Sequence, residues 1–137
     1  MAALRKRGIT VIQERATGIN ATAVSLGNGG QLVCDVPLMA IGAQSPGWLQ
    51  GSGLALDDAG FVAVDEFQRS TSHPEVFSAG DVSSRMDRPV ARSGVYAVRA
   101  GVPLAANLRA VLAGVASKPY TPQAKTLNLL ACGEKYA

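Results

Sequence analysis

The sequence is poor in the residues that hold metals and disulfides. It has two cysteines and one histidine in 137 residues, and Cys34 and Cys132 are far apart with no CxxC motif. A zinc site or a thioredoxin-like dithiol needs clustered ligands, so neither is supported. Both cysteines have apolar sequence neighbours, which predicts buried and unreactive thiols. Free thiols of this kind fit a reducing, cytoplasmic compartment.

Long apolar runs and strong charge are also missing. No apolar stretch approaches the length that crosses a bilayer, and the N-terminal residues MAALRKRGIT lack the apolar core of a signal peptide. The net charge is only +3, with dispersed Lys and Arg, so nucleic-acid binding is not expected. A small positive charge is compatible with an anionic dinucleotide partner.

Motifs for hydrolysis, metal binding and phosphate cradling are absent as well. The sequence has no paired carboxylates, no serine-nucleophile motif and no GxGxxG fingerprint. Its single histidine, His73, precedes Pro74 in a polar stretch and is best explained as a loop residue. We therefore predict no catalytic residue and no metal ligand.

What the sequence does contain is glycine, with short apolar runs between turns. Fifteen glycines and seven prolines predict many tight turns. Residues 2–7 look like the end of a helix that stops at Gly8. The GNGG segment at residues 27–30 separates two β-type runs, residues 21–26 and 31–35, and predicts a hairpin. We expect further strands at residues 9–14, 38–41, 61–64, 76–79 and 126–131, with 38–41 and 76–79 buried.

A long helix is predicted over residues 93–113. Apolar residues recur at intervals of three or four and form a stripe for the core: Val95, Val98, Val102, Ala105, Leu108 and Leu112. Pro103 lies inside this stretch and predicts a kink, or two helices that meet there. Gly114 is a plausible stop. Upstream, we expect Trp48 to pack in the core and Asp57 to lie in a turn.

The segment SHPEVFSAGDV, residues 72–82, is the most informative part of the sequence. A parallel strand of an open α/β sheet delivers its carboxyl end to the ligand crevice, and Ala79, Gly80 and Asp81 would lie at that end. Glycine allows close approach of the backbone to a ligand. The Asp81 carboxylate could accept strong hydrogen bonds from sugar-like hydroxyls. The alternative is a plain turn after a buried strand, and the segment alone does not decide.

Three segments in order resemble one family, the pyridine nucleotide-disulfide oxidoreductase superfamily. SHPEVFSAGDV is similar to its second FAD-binding motif, with Ser72 in place of the usual Thr and Ser78 in place of a common Ala. LMAIGAQSP, ending at Pro46, is similar to the apolar run that returns from the NAD(P)H domain. RPVARSGVYAVRAGVPLAANL, residues 88–108, resembles the helix that follows the flavin motif. No disulfide-reductase cysteine pair is present, and YTPQAKTLNLLACGEKYA is similar to the type II NADH dehydrogenase-like branch. Within that branch the likeness is nearest the module sometimes fused to selenide, water dikinase.

This resemblance implies an α/β, partial FAD/NAD(P)-binding (Rossmann-like) fold with a β-hairpin and one long C-terminal helix. Residues 1–46 would close the NAD(P)H-binding domain, residues 47–117 would be the second half of the FAD-binding domain, and residues 118–137 would begin a C-terminal segment. The missing GxGxxG copies would lie upstream. The expected cofactors are FAD and, in the full-length parent, NAD(P)H.

The resemblance also assigns the cofactor-binding residues Ala79, Gly80, Asp81, Ser93, Gly94, Val95 and Pro46. The N–H groups at a helix start carry partial positive charge, and at residues 93–95 they would face the N1–C2=O edge of the flavin. Ser93 could instead be a simple N-cap, and Arg92 a solvated side chain. The expected function is hydride transfer from NAD(P)H to FAD and on to an acceptor.

Two other functions stay open at this point. The chain could be a non-catalytic interaction domain that retains the flavoprotein fold, or a small domain of strands and a helix unrelated to flavins. As a fragment it would hold half of each cofactor site, and we expect it to be inactive alone. Unpaired sheet edges and apolar faces predict self-association.

Overall fold

The predicted hairpin is the centre of a small antiparallel sheet in a computed structural model, which describes residues 2–126. Strand β2, Ala23–Leu26, pairs with β3, Gln31–Val33, through partners such as Val24 and Leu32. Gly29 has φ +85°, and the Asn28 side-chain oxygen accepts a hydrogen bond of 2.9 Å from the Gly30 N–H. The hairpin prediction is confirmed, because glycine and asparagine supply the turn that it needs.

A third strand and a short helix complete this first compact unit, which ends at Ile41. Helix α1, Ala2–Lys6, stops before Gly8 at φ +70°, as predicted. Strand β1, Ala16–Ile19, pairs with β2, so the strand predicted at residues 9–14 is wrong. The Gly27 N–H donates to the Arg15 carbonyl and aligns the following residues with β2, whereas the preceding residues have no strand alongside.

The second compact unit begins at Gly42 and is built around two parallel strands. Strand β4, Val62–Val64, is fully buried and pairs with β5, Ser83–Arg85. A 3-10 helix, Gly47–Gly51, brings Leu49 against β4. Leu49, Val62 and Val64 form the core of this unit. The predicted strand at residues 61–64 is confirmed, and its burial on both faces agrees with its continuous apolar sequence.

The long helix α2, Gly94–Leu112, is confirmed as a single element. It runs through Pro103, so two separate helices at this point are wrong; the ring removes one backbone donor without ending the helix. It stops before Gly114, which has φ +66°. Helices tolerate one missing bond when tertiary contacts hold both sides of the break.

The predicted buried face of α2 is wrong. Val98, Val102 and Leu112 are 77%, 78% and 88% exposed, while the buried residues are Ala100 and Asn107. Asn107 satisfies its amide with three hydrogen bonds to backbone groups, and this favours burial of a polar residue. Side-chain hydrogen bonds, and not apolar spacing, therefore set the orientation of the helix.

Two predicted buried strands are also absent from the described chain. Residues 38–41 form no strand, and Leu38 is 90% exposed. Residues 76–79 form only one isolated bridge, between Arg69 and Phe77. Residues 68–70 lie alongside residues 76–78, with the Ser70 N–H donating to the Val76 carbonyl and the Ser78 N–H to the Gln68 carbonyl, but the pairing does not extend beyond this bridge. No described strand pairs with residues 38–41, and an apolar run forms a strand only where a partner continues alongside it.

Among the predictions for single residues, one is confirmed and two are wrong. Trp48 is 70% exposed, so the predicted core position is wrong. Asp57 does form the predicted turn, accepting hydrogen bonds from the Ala59 and Phe61 N–H groups. Cys34 is half-buried and not fully buried as predicted. The strand predicted at residues 126–131, beyond its first residue, and Cys132 lie outside the described residues.

No helix of the described residues is long and apolar enough to cross a membrane.

Candidate functional site

The second unit contains a cleft of about 440 Å³, measured with its open mouth. Its walls are the turn at residues 78–81, the strand β5, the loop at residues 90–93, the first two turns of α2, and Tyr120 with Pro122. Gln68 also lines it.

The Ala-Gly-Asp segment forms one edge of this cleft. Gly80 has φ +75°, a conformation that glycine adopts far more easily than other residues. The Ser83 hydroxyl donates to the Gly80 carbonyl at 2.9 Å and holds the turn. Asp81 is exposed, and no side chain or backbone group of the described residues binds its carboxylate. The fold therefore leaves this acceptor available to a ligand.

Ser93 lies on the same cleft and begins α2 without capping it. It occupies the N-cap position with extended backbone, at φ −152° and ψ 154°, but its hydroxyl makes no capping hydrogen bond. Its Oγ is buried and has no hydrogen-bond partner. In a simple N-cap this oxygen would accept a hydrogen bond from a first-turn N–H group, so capping does not account for Ser93.

The structure brings together only part of the predicted set. Ala79, Gly80, Asp81 and Ser93 line one cleft, whereas Gly94, Val95 and Pro46 do not line it. Gly94 and Val95 follow Ser93 in the first turn of α2.

Arg92 directly precedes the N-cap Ser93 and is held by contacts that the sequence did not reveal. Its guanidinium lies 3.5 Å from the centre of the Phe61 ring and 3.4 Å from an Asp57 oxygen. Arg92 is exposed, as expected of a solvated side chain, but a cation–π contact and an ion pair also hold it against Phe61 and Asp57. Burial raises the pKa of Asp57, but hydrogen bonds from Ser84, Phe61 and Ala59, together with Arg92, lower it overall.

Arg85 is a second arginine of the site that sequence reasoning missed. It is only 7% exposed, at the end of β5. Its Nε and Nη2 donate to the two oxygens of Asp87 at 2.7 and 2.8 Å, and Nη2 also donates to the Tyr120 carbonyl at 2.9 Å. The Arg85 guanidinium holds the pKa of Asp87 below its usual value. The spacing Arg-x-Asp was the one available signal, and it is too common to be informative.

Four buried polar atoms on the cleft residues have no hydrogen-bond partner: Gln68 Oε1, Arg85 Nη1, Ser93 Oγ and Tyr120 OH. Buried polar groups in proteins are nearly always paired, so each such atom needs an explanation. They are one acceptor, one charged donor and two hydroxyls. This set fits a ligand that carries both hydroxyl and carbonyl groups, and a flavin with its ribityl chain is such a ligand.

Two solved structures share the fold of this chain. One is an NAD-dependent persulfide reductase from A. fulgidus, with a TM-score of 0.64 and 22% identity over 86% of this chain. The other is LpdA from Mycobacterium tuberculosis, with a TM-score of 0.58 and 21% identity over 88% of this chain. The chain spans 23% and 26% of these two proteins, about a quarter of each. The likeness confirms the predicted α/β, partial FAD/NAD(P)-binding fold.

The family model for pyridine nucleotide-disulphide oxidoreductases matches residues 1–101. The match includes the Ala79–Gly80–Asp81 edge, Ser93 and the first turns of α2, and so confirms the resemblance drawn from the sequence. The chain therefore belongs to the pyridine nucleotide-disulphide oxidoreductase family, and the cofactors that this membership implies are FAD and NAD(P)H.

Proposed function

We propose that this chain supplies one side of the flavin site in an oxidoreductase that transfers hydride from NAD(P)H to FAD. The observation that carries the proposal is the shared cleft of Asp81 and Ser93, which approach it from different elements. Four buried polar atoms without partners surround it. A plain turn at Gly80 and a plain cap at Ser93 would not need to face each other.

Each residue has a separate role in this proposal. The exposed carboxylate of Asp81 accepts hydrogen bonds from ribityl hydroxyls, and Ala79 and Gly80 allow the chain to approach closely. Ser93 faces the ring edge at the start of α2, where a helix start favours negative charge; Gly94 and Val95, which do not line the cleft, contribute only to the charge of that helix start. The bound flavin supplies hydride acceptance, while the protein positions it and shields it from water.

We assign different roles in the complete enzyme to three segments of the chain. Residues 1–46 close the NAD(P)H-binding domain, with Pro46 at the return to the flavin side. Residues 47–117 form the second half of the FAD-binding domain, and residues 118–137 begin the C-terminal segment. This chain alone holds half of each cofactor site and is inactive by itself.

We place the enzyme in the type II NADH dehydrogenase-like branch, near the module sometimes fused to selenide, water dikinase, and in the cytoplasm. The absence of CxxC from the sequence and the YTPQ segment at residues 120–123 support this branch. Reduction of a quinone by the complete gene product, without disulfide reductase activity, is the result expected for it.

The proposal is tested on the complete gene product by an absorbance spectrum of the purified protein. Stoichiometric bound flavin, bleached by NADH or NADPH, is expected. Asp81→Ala should lower the flavin content several-fold, whereas Asp58→Ala, at an exposed turn residue outside the cleft, should not change it. A colourless wild-type protein that cannot be loaded with FAD would rule the proposal out.

A second candidate is a non-catalytic interaction domain that keeps the fold. It is favoured by the exposed apolar stripe of α2, formed by Val98, Val102 and Leu112. Exposed apolar patches mark interaction surfaces in many soluble proteins. A gene product that binds a partner through this stripe but takes up no flavin would support this function over the first.

A further inference from the structure

Arg85 is the best-held charged group of the cleft and has one free donor. Asp87 binds its Nε and Nη2, the Tyr120 carbonyl binds Nη2 as well, and the Tyr120 ring lies 5.6 Å below the guanidinium. These contacts fix the plane of the guanidinium. They leave Nη1, which is buried and unpaired, as the remaining donor on a residue that lines the cleft.

A charged donor in this position calls for an acceptor. Leaving a buried charged donor without a partner is among the more unfavourable arrangements in a folded protein. Asp87 already uses both carboxylate oxygens on the other edge of the guanidinium. The neighbouring cleft atoms of Gln68 and Tyr120 are themselves unpaired and make no bond to Nη1. None of the described residues supplies this acceptor, so a molecule that enters the cleft can supply it.

The chemistry of the cleft selects the kind of acceptor. Asp81 lines the same space with a free carboxylate, which repels a phosphate but accepts hydrogen bonds from hydroxyl donors. A ligand that satisfies both groups carries hydroxyls for Asp81 and a carbonyl or hydroxyl oxygen for Arg85. The ring and ribityl part of a flavin carries both and has no phosphate.

We propose that Arg85 is a flavin-binding residue whose Nη1 donates a hydrogen bond to an oxygen of the ring or ribityl part of the cofactor. This inference rests on the proposed function and extends it to a residue outside the Ala-Gly-Asp turn and the helix start. Arg85 is held in advance by Asp87 and Tyr120, so little side-chain entropy is lost when the bond forms.

The test compares riboflavin and FMN binding to the flavin-free complete gene product by fluorescence titration. Arg85→Met should weaken riboflavin and FMN about tenfold or more, as expected for loss of one charge-assisted hydrogen bond. Asp87→Asn breaks the same ion pair but keeps the guanidinium, and should change Kd less than about threefold on this basis. Arg109→Met, at an exposed α2 residue away from the cleft, is the matched control and should bind like wild type.

Several results would overturn the inference. The first is unchanged riboflavin binding by a folded Arg85→Met protein. The second is an equal loss of flavin affinity in Arg85→Met and Asp87→Asn. The third is a loss of FMN affinity alone, which would assign Arg85 to a phosphate. If Arg85→Met does not fold, Arg85→Lys replaces it, and wild-type affinity in that variant would also overturn the role. A wild-type protein that binds no flavin overturns the proposed function itself, whereas wild-type binding with an unaffected Arg85 variant overturns only this inference.

Discussion

Replacing Asn107 with alanine should destabilise the second unit by about 3 kcal/mol, since each net hydrogen bond contributes about 1 kcal/mol. Asn107 is 2% exposed in the middle of α2. Its Nδ2 donates to the Phe67 carbonyl at 3.1 Å and to the Lys118 carbonyl at 2.9 Å, and its Oδ1 accepts the Lys118 N–H at 2.8 Å. Loss of this amide removes three bonds from a site with little access for water.

The magnitude is large because the lost partners are backbone groups. Each buried group left without a partner costs about 1–3 kcal/mol. Partial entry of water reduces the total cost for the three groups, so about 3 kcal/mol is a central value. That is a substantial fraction of the 5–15 kcal/mol by which a typical domain is stable. Asn107→Asp should be no better, because it replaces the Nδ2 donor with a carboxylate oxygen that faces the Phe67 and Lys118 carbonyl oxygens.

The assay is urea unfolding followed by circular dichroism of helix α2. Arg109→Ala, two residues along the same helix and exposed, should change the free energy of unfolding by less than about 0.5 kcal/mol. If the free energy of unfolding of Asn107→Ala lies within about 1 kcal/mol of the wild-type value, the contribution of a single net hydrogen bond, the buried amide does not connect α2 to residues 67 and 118 as described.

Three further predictions concern the turn, the carboxylates and the exposed stripe. Gly80→Ala should lower the free energy of unfolding by about 1–3 kcal/mol, because alanine is strained at φ +75°. The added Cβ itself would meet the Ala97 side chain at an ordinary contact distance of 3.5 Å. Asp57 and Asp87 have lowered pKa values in the folded chain. The stability that these two ionised carboxylates give the fold is therefore present above their ordinary pKa of 3.8 and is lost as the pH falls through their folded pKa values. Asp87→Asn should flatten that part of the pH–stability curve. The predicted self-association should weaken in Val102→Lys, measured by sedimentation velocity, and an unchanged sedimentation profile would exclude the α2 stripe as its cause.

Local chemistry was sufficient to predict the elements whose structure depends on their own residues. The Gly-Asn turn of the hairpin, the stop at Gly8 and the stop at Gly114 all need positive φ, and glycine shows this in the sequence. The helix over residues 94–112 was predicted because its pattern is long. The Ala79–Asp81 edge could be named because small residues and a carboxylate at the end of an apolar run are visible without a fold, whereas Ser93 was named through the resemblance to the family's helix start.

Features that depend on distant partners were not visible. Apolar spacing suggested that Val98 and Val102 face the core, but hydrogen bonds of Asn107 to residues 67 and 118 set the orientation of α2. No described strand pairs with residues 38–41, and residues 76–79 pair with residues 68–70 only through one isolated bridge. Arg85 was overlooked, and Arg92 was expected only to be solvated, because contacts such as the Tyr120 carbonyl for Arg85 and the Phe61 ring for Arg92 come from elsewhere in the chain.

All the residues that line the cleft lie within residues 68–122, a single uninterrupted stretch of the chain. A recombination event that transfers this one stretch would carry every wall of the cleft with it, including Arg85 and its partners Asp87 and Tyr120. Residues before this stretch still support its walls, because β4 pairs with β5 and because Asp57 and Phe61 hold Arg92. Such a segment can be inherited by enzymes that differ in what lies on the other side of their cofactor.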